Sequence, residues 1–237
     1  MTVMPILLLV ILAGAWYVSS KIMRTTVDAL ASPAERILPR IHAPTEPEMQ
    51  PVLRQVEDWA RDKEFTEDVM FDFQISAQGQ TLFCKTWKNN AMRTYLVFYF
   101  GLGRHFFELV TVYDDNTAVT TTNAPDAHTL PAVPGAFIQC FPGQGLDELA
   151  DLHREGRETL ERRTGLEAQP RPESTLDLIA TSLKRQARYV MSIPGWQWKG
   201  LWWITVRKQR MIGKDVAWQL DRFGVGEPVA ASPETLQ

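Results

Sequence analysis

Residues 71–87 read FDFQISAQGQTLFCKTW, and in this stretch the period of the chain becomes two. Phe71, Phe73 and Ile75 alternate with Asp72, Gln74 and Ser76, the pattern of a strand with one buried face. The chain then turns at Gln78-Gly79 into a second strand over 81–87. Further on, 95–100 is apolar on both faces, as an inner strand is. Residues 106–113 continue the pattern, Asp114-Asp115-Asn116 turns the chain, and 118–122 returns as a threonine-rich strand. Links this short between successive strands require antiparallel pairing.

Outside this block the period is helical. Val52, Leu53, Val56, Trp59 and Ala60 recur at helical spacing within 48–63. A loop punctuated by proline and glycine occupies 123–145 and contains one short apolar piece, 136–141. Residues 146–163 carry the i,i+4 pairs Arg154/Glu158, Arg157/Glu161 and Glu158/Arg162 of a solvated helix. Ser174 caps a further helix to about Met191, whose apolar stripe is Leu176, Ile179, Leu183, Ala187 and Val190. The expected fold class is α+β, with one antiparallel meander sheet packed against several helices behind an N-terminal transmembrane helix.

That first helix is read from 3–18, VMPILLLVILAGAWYV, which holds nine Ile, Leu or Val residues and no charge. With the residues up to Met23 it approaches the roughly 20 needed to cross a 30 Å hydrocarbon core. Trp16 and Tyr17 stand where an aromatic belt belongs, with Lys21 and Arg24 just beyond. Ala13-Gly14-Ala15 offers a signal-peptidase site, but a cleavable leader needs a basic n-region that residues 1–5 lack, which favours a retained signal-anchor. Lys21, Arg24, Arg36 and Arg40 all follow the span, so the positive-inside rule puts the N-terminus outside and the rest in the cytoplasm. The expected organisation is an anchor over 1–24, a proline-interrupted tether over 25–47, a domain over 48–214 and a polar tail over 215–237.

The domain is electrically lopsided. Formal charge is −3 for the chain. Yet no acid lies between Asp177 and Asp215, while Lys184, Arg185, Arg188, Lys199, Arg207, Lys208, Arg210 and Lys214 do. The remainder therefore carries −11, and two faces of opposite sign meet two different environments. Within the basic segment 184–214 lies IPGWQWKGLWWITVRKQR, residues 193–210, with four tryptophans and no acid. One reading makes 198–206 a strand whose indoles enter the core. The other places Trp196, Trp198, Lys199, Trp202, Trp203, Arg207, Lys208 and Arg210 against an anionic leaflet. Indoles favour the headgroup zone, and each nearby cation contributes about 1 kcal/mol there. Stacking on nucleic acid is opposed by the acidic remainder.

Motifs for chemistry are sparse. Gly101-Leu102-Gly103 lacks the third glycine and the GK[ST] of a phosphate loop, and reads as a tight turn. His105 and Glu108 point to opposite faces of an extended chain, a poor acid/base pair. His153 falls on the apolar stripe of its helix with Leu146, Leu149, Gly156 and Leu160, as a core histidine does. His105 and His153 remain the polar-site candidates, while His42 and His128 have no recruiting residue nearby in sequence. Cys84 and Cys140 read as two buried thiols, and no Cys or His pair has zinc-ligand spacing. No cofactor and no catalytic residue is expected. The favoured function is a membrane-anchored interaction or accessory protein that turns its acidic face to a protein partner. The alternative is an enzyme acting on a lipid or membrane-associated substrate near His105, His153 or the 123–145 loop.

Overall fold

The computed structural model describes residues 3–75, 80–113, 117–169 and 171–224, with side chains in the first helix described at Leu7 and from Val10 onward. The turns expected at Gln78-Gly79 and at 114–116 lie outside the described residues. A seven-stranded sheet runs in chain order: β1 (Ile37–Arg40), β2 (Thr66–Gln74), β3 (Thr81–Asn89), β4 (Thr94–Gly101), β5 (Arg104–Val112), β6 (Ala118–Thr122) and β7 (Ala136–Cys140). Every neighbouring pair is antiparallel except β6 and β7, which are parallel. The fold is α+β, and the meander from β2 to β6 follows the alternation read from the sequence. Leu102 and Gly103 take positive φ between the paired Gly101 and Arg104, a tight two-residue hairpin turn.

Side-chain alternation gives the sheet two apolar faces. On one, Phe83, Trp87, Leu96, Phe98, Phe107 and Leu109 are covered by α2 (Met49–Asp62) and the start of α3 (Leu146–Thr164). On the other, Phe71, Cys84 and Tyr99 lie under Leu176, Ile179, Ala180 and Leu183 of α4 (Thr175–Ser192). Ser174 caps α4 by accepting a hydrogen bond from Asp177 N at 3.2 Å. Cys84 and Cys140 are buried free thiols.

Three segments differ from the sequence reading. The expected tether continues the first helix, α1 (Val3–Ala31), and then supplies edge strand β1. Pro39 and a four-residue length hid that strand, though both suit an edge. The piece expected inside a loop at 136–141 is β7, reached by a long crossover because it runs parallel to β6. The start of the expected tail forms α7 (Val216–Phe223), which buries Val216, Leu220 and Phe223 and is capped by Asp215.

The run read as a strand over 198–206 is helical. Gly195 at φ 65° turns the chain after α4, and a 3-10 turn (Trp196–Trp198) leads into α5 (Gly200–Trp202). A π turn (Trp203–Arg207) joins it to α6 (Lys208–Met211). Its buried positions are Gly200, Trp203, Arg207 and Met211, spaced three and four apart. That is one face of a helix, and neighbouring tryptophans disguised it as two apolar strand faces.

Among the described residues no helix is long and apolar enough to cross a membrane. The side chains of 3–6, 8 and 9, which carry much of the expected span, lie outside those described. From Val10 to Val18 every side chain of α1 is exposed on all sides of the helix. From Ser19 onward α1 joins the domain, burying Ser19, Ser20, Met23, Val27 and Ala29.

Candidate functional site

The seat of α1 is built from three elements. Met23 and Val27 enter a core with Ala187 and Val190 of α4, with Ile193 just after it and with Trp203. Gly200 lets α5 approach closely: a Cβ there would overlap Met23 Cγ and stand 3.0 Å from Ser19 O. Just above this contact, Trp16 of α1 stacks on Trp198 with ring centroids 4.4 Å apart and planes 7° from parallel. The Arg24 guanidinium lies 5.4 Å from the Trp198 ring centroid, within cation–π range. Indoles and cations thus ring the helix where it leaves the domain.

The residues expected to face lipid separate into two groups. Trp198 is 51% exposed, Arg210 is exposed, and Trp196, Lys199 and Trp202 are half-buried around α1. Trp203 and Arg207 point the other way and are buried in the domain. Lys208 is mostly covered and bridges Asp126 at 2.8 Å. The collar accordingly rests on Trp16, Trp196, Trp198 and Trp202 with Arg24 and Lys199. Trp16 and Arg24 join it only because α1 continues as a helix past residue 24.

Beneath the collar, Arg207 Nη1 donates to the carbonyls of His128 at 3.4 Å and Leu130 at 3.1 Å, which pins the 123–135 crossover loop onto α5 and α6. Arg207 Nη2, both ring nitrogens of His128, Trp203 Nε1 and Ser20 Oγ are buried without a hydrogen-bond partner among the described residues. Burial, then the Arg207 charge, lowers His128 to about 3, so its ring is neutral. Burial lowers Arg207 to about 10, which still leaves it cationic at pH 7. Sequence reading passed over His128, because its neighbour Arg207 is 79 residues away.

The two polar-site candidates from sequence lie elsewhere. His105 is exposed at the start of β5, its ring 5.7 Å from that of Phe107. Glu108 lies on the opposite face, where its half-buried carboxylate accepts from Tyr99 Oη at 2.9 Å. Burial raises Glu108 above the ordinary carboxylate range and raises Tyr99 well above the usual phenol value. His153 is buried between α3 and the sheet, with Nε2 3.1 Å from Thr111 Oγ1 and Nδ1 3.0 Å from Thr121 Oγ1. Burial, then Arg157, lowers it to about 3. Gln139 Nε2 donates to Thr121 Oγ1 at 2.8 Å, and Thr94 and Thr111 hydroxyls meet at 3.0 Å. With both nitrogens engaged and the ring neutral, His153 is the hub of a closed polar network that fixes α3 to β4, β5, β6 and β7. It has no free lone pair or N–H to offer a substrate.

Among the described residues, no group of three or more His, Cys, Asp or Glu is placed to hold a metal ion. Comparison of the chain with family models, with curated proteins and with solved structures finds no match.

Proposed function

We propose that this chain is a membrane-anchored interaction or accessory protein. In this reading α1 crosses the bilayer and the α+β domain sits against its cytoplasmic surface. The observation that carries the reading is the change along α1. Leu7, Val10, Ile11, Leu12, Tyr17 and Val18 are exposed on a helix that, apart from the Trp16 ring stacked on Trp198, is buried in the domain only from Ser19. Leaving such side chains in water forfeits roughly 1 kcal/mol apiece at their exposure, and a bilayer recovers it.

Length supports the collar's part in this. Residues 3–18 extend about 24 Å at 1.5 Å per residue, short of a roughly 30 Å hydrocarbon layer. A free rod that short draws its base toward the interface, where Trp16, Trp198 and Trp202 find the headgroup zone that indoles prefer. Lys21, Arg24 and Lys199 then meet the anionic leaflet, and the acidic remainder of the domain faces away to a protein partner. Cations only after the span give an outside N-terminus and a cytoplasmic domain.

Alkaline carbonate extraction of full-length protein tests the anchor. The chain is expected to stay in the membrane pellet, and release to the supernatant removes the proposal. A reporter active only outside the cytoplasm, fused after Gln237, is expected to stay silent.

A further inference from the structure

We propose that His128 and Arg207, with the indole N–H of Trp203, form a buried receptor for one phosphate group at the seat of α1. The site is a built one. Arg207 spends Nη1 on the carbonyls of His128 and Leu130, which fixes the guanidinium plane and leaves Nη2 without a partner among the described residues. His128, 1% exposed, has neither ring nitrogen engaged. Trp203, fully buried one turn before Arg207, carries an Nε1–H that is unengaged among the described residues. Each such group costs on the order of 1–3 kcal/mol when left dry. His128 and Arg207 meet through the backbone hydrogen bond and Trp203 stands one turn before Arg207, so these unengaged groups suit a ligand that satisfies them.

The donor set defines the ligand. Arginine and indole groups donate, and a neutral imidazole adds one N–H. No carboxylate among the described residues pairs with Arg207; Asp126 pairs with the neighbouring Lys208 at 2.8 Å. Tyr189 acts electrostatically on Arg207. A cationic fork with surrounding donors and no acid suits an anion of several oxygens, and a guanidinium matches phosphate geometry. A phospholipid headgroup and free phosphate both present the required group. Entry lifts the crossover loop past the Lys208–Asp126 pair, whose carboxylate side chain stands 68% exposed.

The test uses the full chain in maltoside micelles and does not depend on whether α1 crosses a bilayer. Thermal unfolding is followed during titration with inorganic phosphate, with dihexanoyl-phosphatidylglycerol, and with chloride at matched ionic strength. At about a hundredfold excess over Kd, phosphate binding raises Tm by roughly 5–10 °C. A rise with both phosphate probes assigns the site to the phosphate group alone; a rise with the lipid only assigns it to a headgroup. His128→Phe loses no hydrogen bond among the described residues, is expected to fold with a Tm at or above that of the wild type, and abolishes the rise. Ring nitrogen NMR shifts of His128 in the wild type, which must move on titration, give a readout independent of any variant. A rise no larger than that from chloride, a full rise in His128→Phe, or stationary His128 ring signals overturns the proposal.

Discussion

His153 and His128 are both buried and neutral, and both are lowered to about 3 first by burial and then by an arginine. Their surroundings differ completely. His153 meets Thr111 and Thr121 hydroxyls, and those continue into Thr94 and Gln139 until every member has a partner. His128 has an arginine holding its backbone carbonyl and, among the described residues, nothing hydrogen-bonded to its ring. The first arrangement specifies how α3 lies on the sheet. The second spends stability on groups that packing alone would not retain. Burial and a shifted pKa therefore do not separate a structural histidine from a functional one; the hydrogen-bond inventory does.

Acid gives the largest effect with which to break that comparison. Both rings protonate near 6.5 in the unfolded chain but only near 3 in the fold. Between those values the unfolded chain binds more protons, so stability is present above pH 6.5 and lost as pH falls toward 3. The loss is on the order of 5 kcal/mol for each ring across the whole window. Urea unfolding at pH 7, 6, 5 and 4 is expected to show a slope approaching two protons below 6.5, and His128→Phe is expected to reduce it to one. Equal slopes in the two proteins would mean that His128 is reached by water in the fold.

At neutral pH the same pair gives a smaller, opposite contrast. His153→Leu leaves Thr111 and Thr121 each short of one partner inside the network and is expected to cost about 2–3 kcal/mol. His128→Phe breaks no side-chain hydrogen bond and is expected to stay within about 1 kcal/mol of wild type. Urea midpoints of the two variants at pH 7.5 in phosphate-free buffer check this. If His128→Phe is the more damaging, the two sites have been read the wrong way round.

Much of the sheet was legible because alternation survives wherever one face is polar or the strand is long. Phe71, Phe73, Phe83 and Trp87 fell on the expected strands, and the His105–Glu108 separation followed from strand geometry alone. The failure at 198–206 was a local one. In 198–206 apolar residues occupy both alternate positions, so two periods fit equally, and only the burial of Gly200, Trp203, Arg207 and Met211 selects the helix. The ring around α1 was half legible. Its tryptophans were visible as a cluster, but which of them turn inward depends on α1 packing against α5, a contact between distant parts of the chain. The His128–Arg207 seat was not legible at all, since neither residue sits in a local pattern and their meeting is a property of the crossover loop.

The smallest expected effect concerns how the second region is held without a polar network. Replacing a helical glycine by alanine ordinarily stabilises by about 1 kcal/mol, because glycine has the greater backbone freedom to lose. Gly200 should reverse that sign. Its added methyl overlaps the fully buried Met23 side chain and presses on the Ser19 carbonyl at 3.0 Å, which is backbone and cannot rotate away. Overpacking of this kind costs about 1–3 kcal/mol, so the net loss for Gly200→Ala is about 1 kcal/mol. Because α1 must move outward, the Trp16–Trp198 stack should loosen as well, which a change in near-ultraviolet circular dichroism would report. Gly156→Ala serves as the matched probe of the first region, since its methyl would stand 2.6 Å from Gln139 Nε2. It should disturb the His153 network and leave the indole signal as it was. A stabilised Gly200→Ala, with that signal unchanged, would show that α1 is not seated on α5 as described.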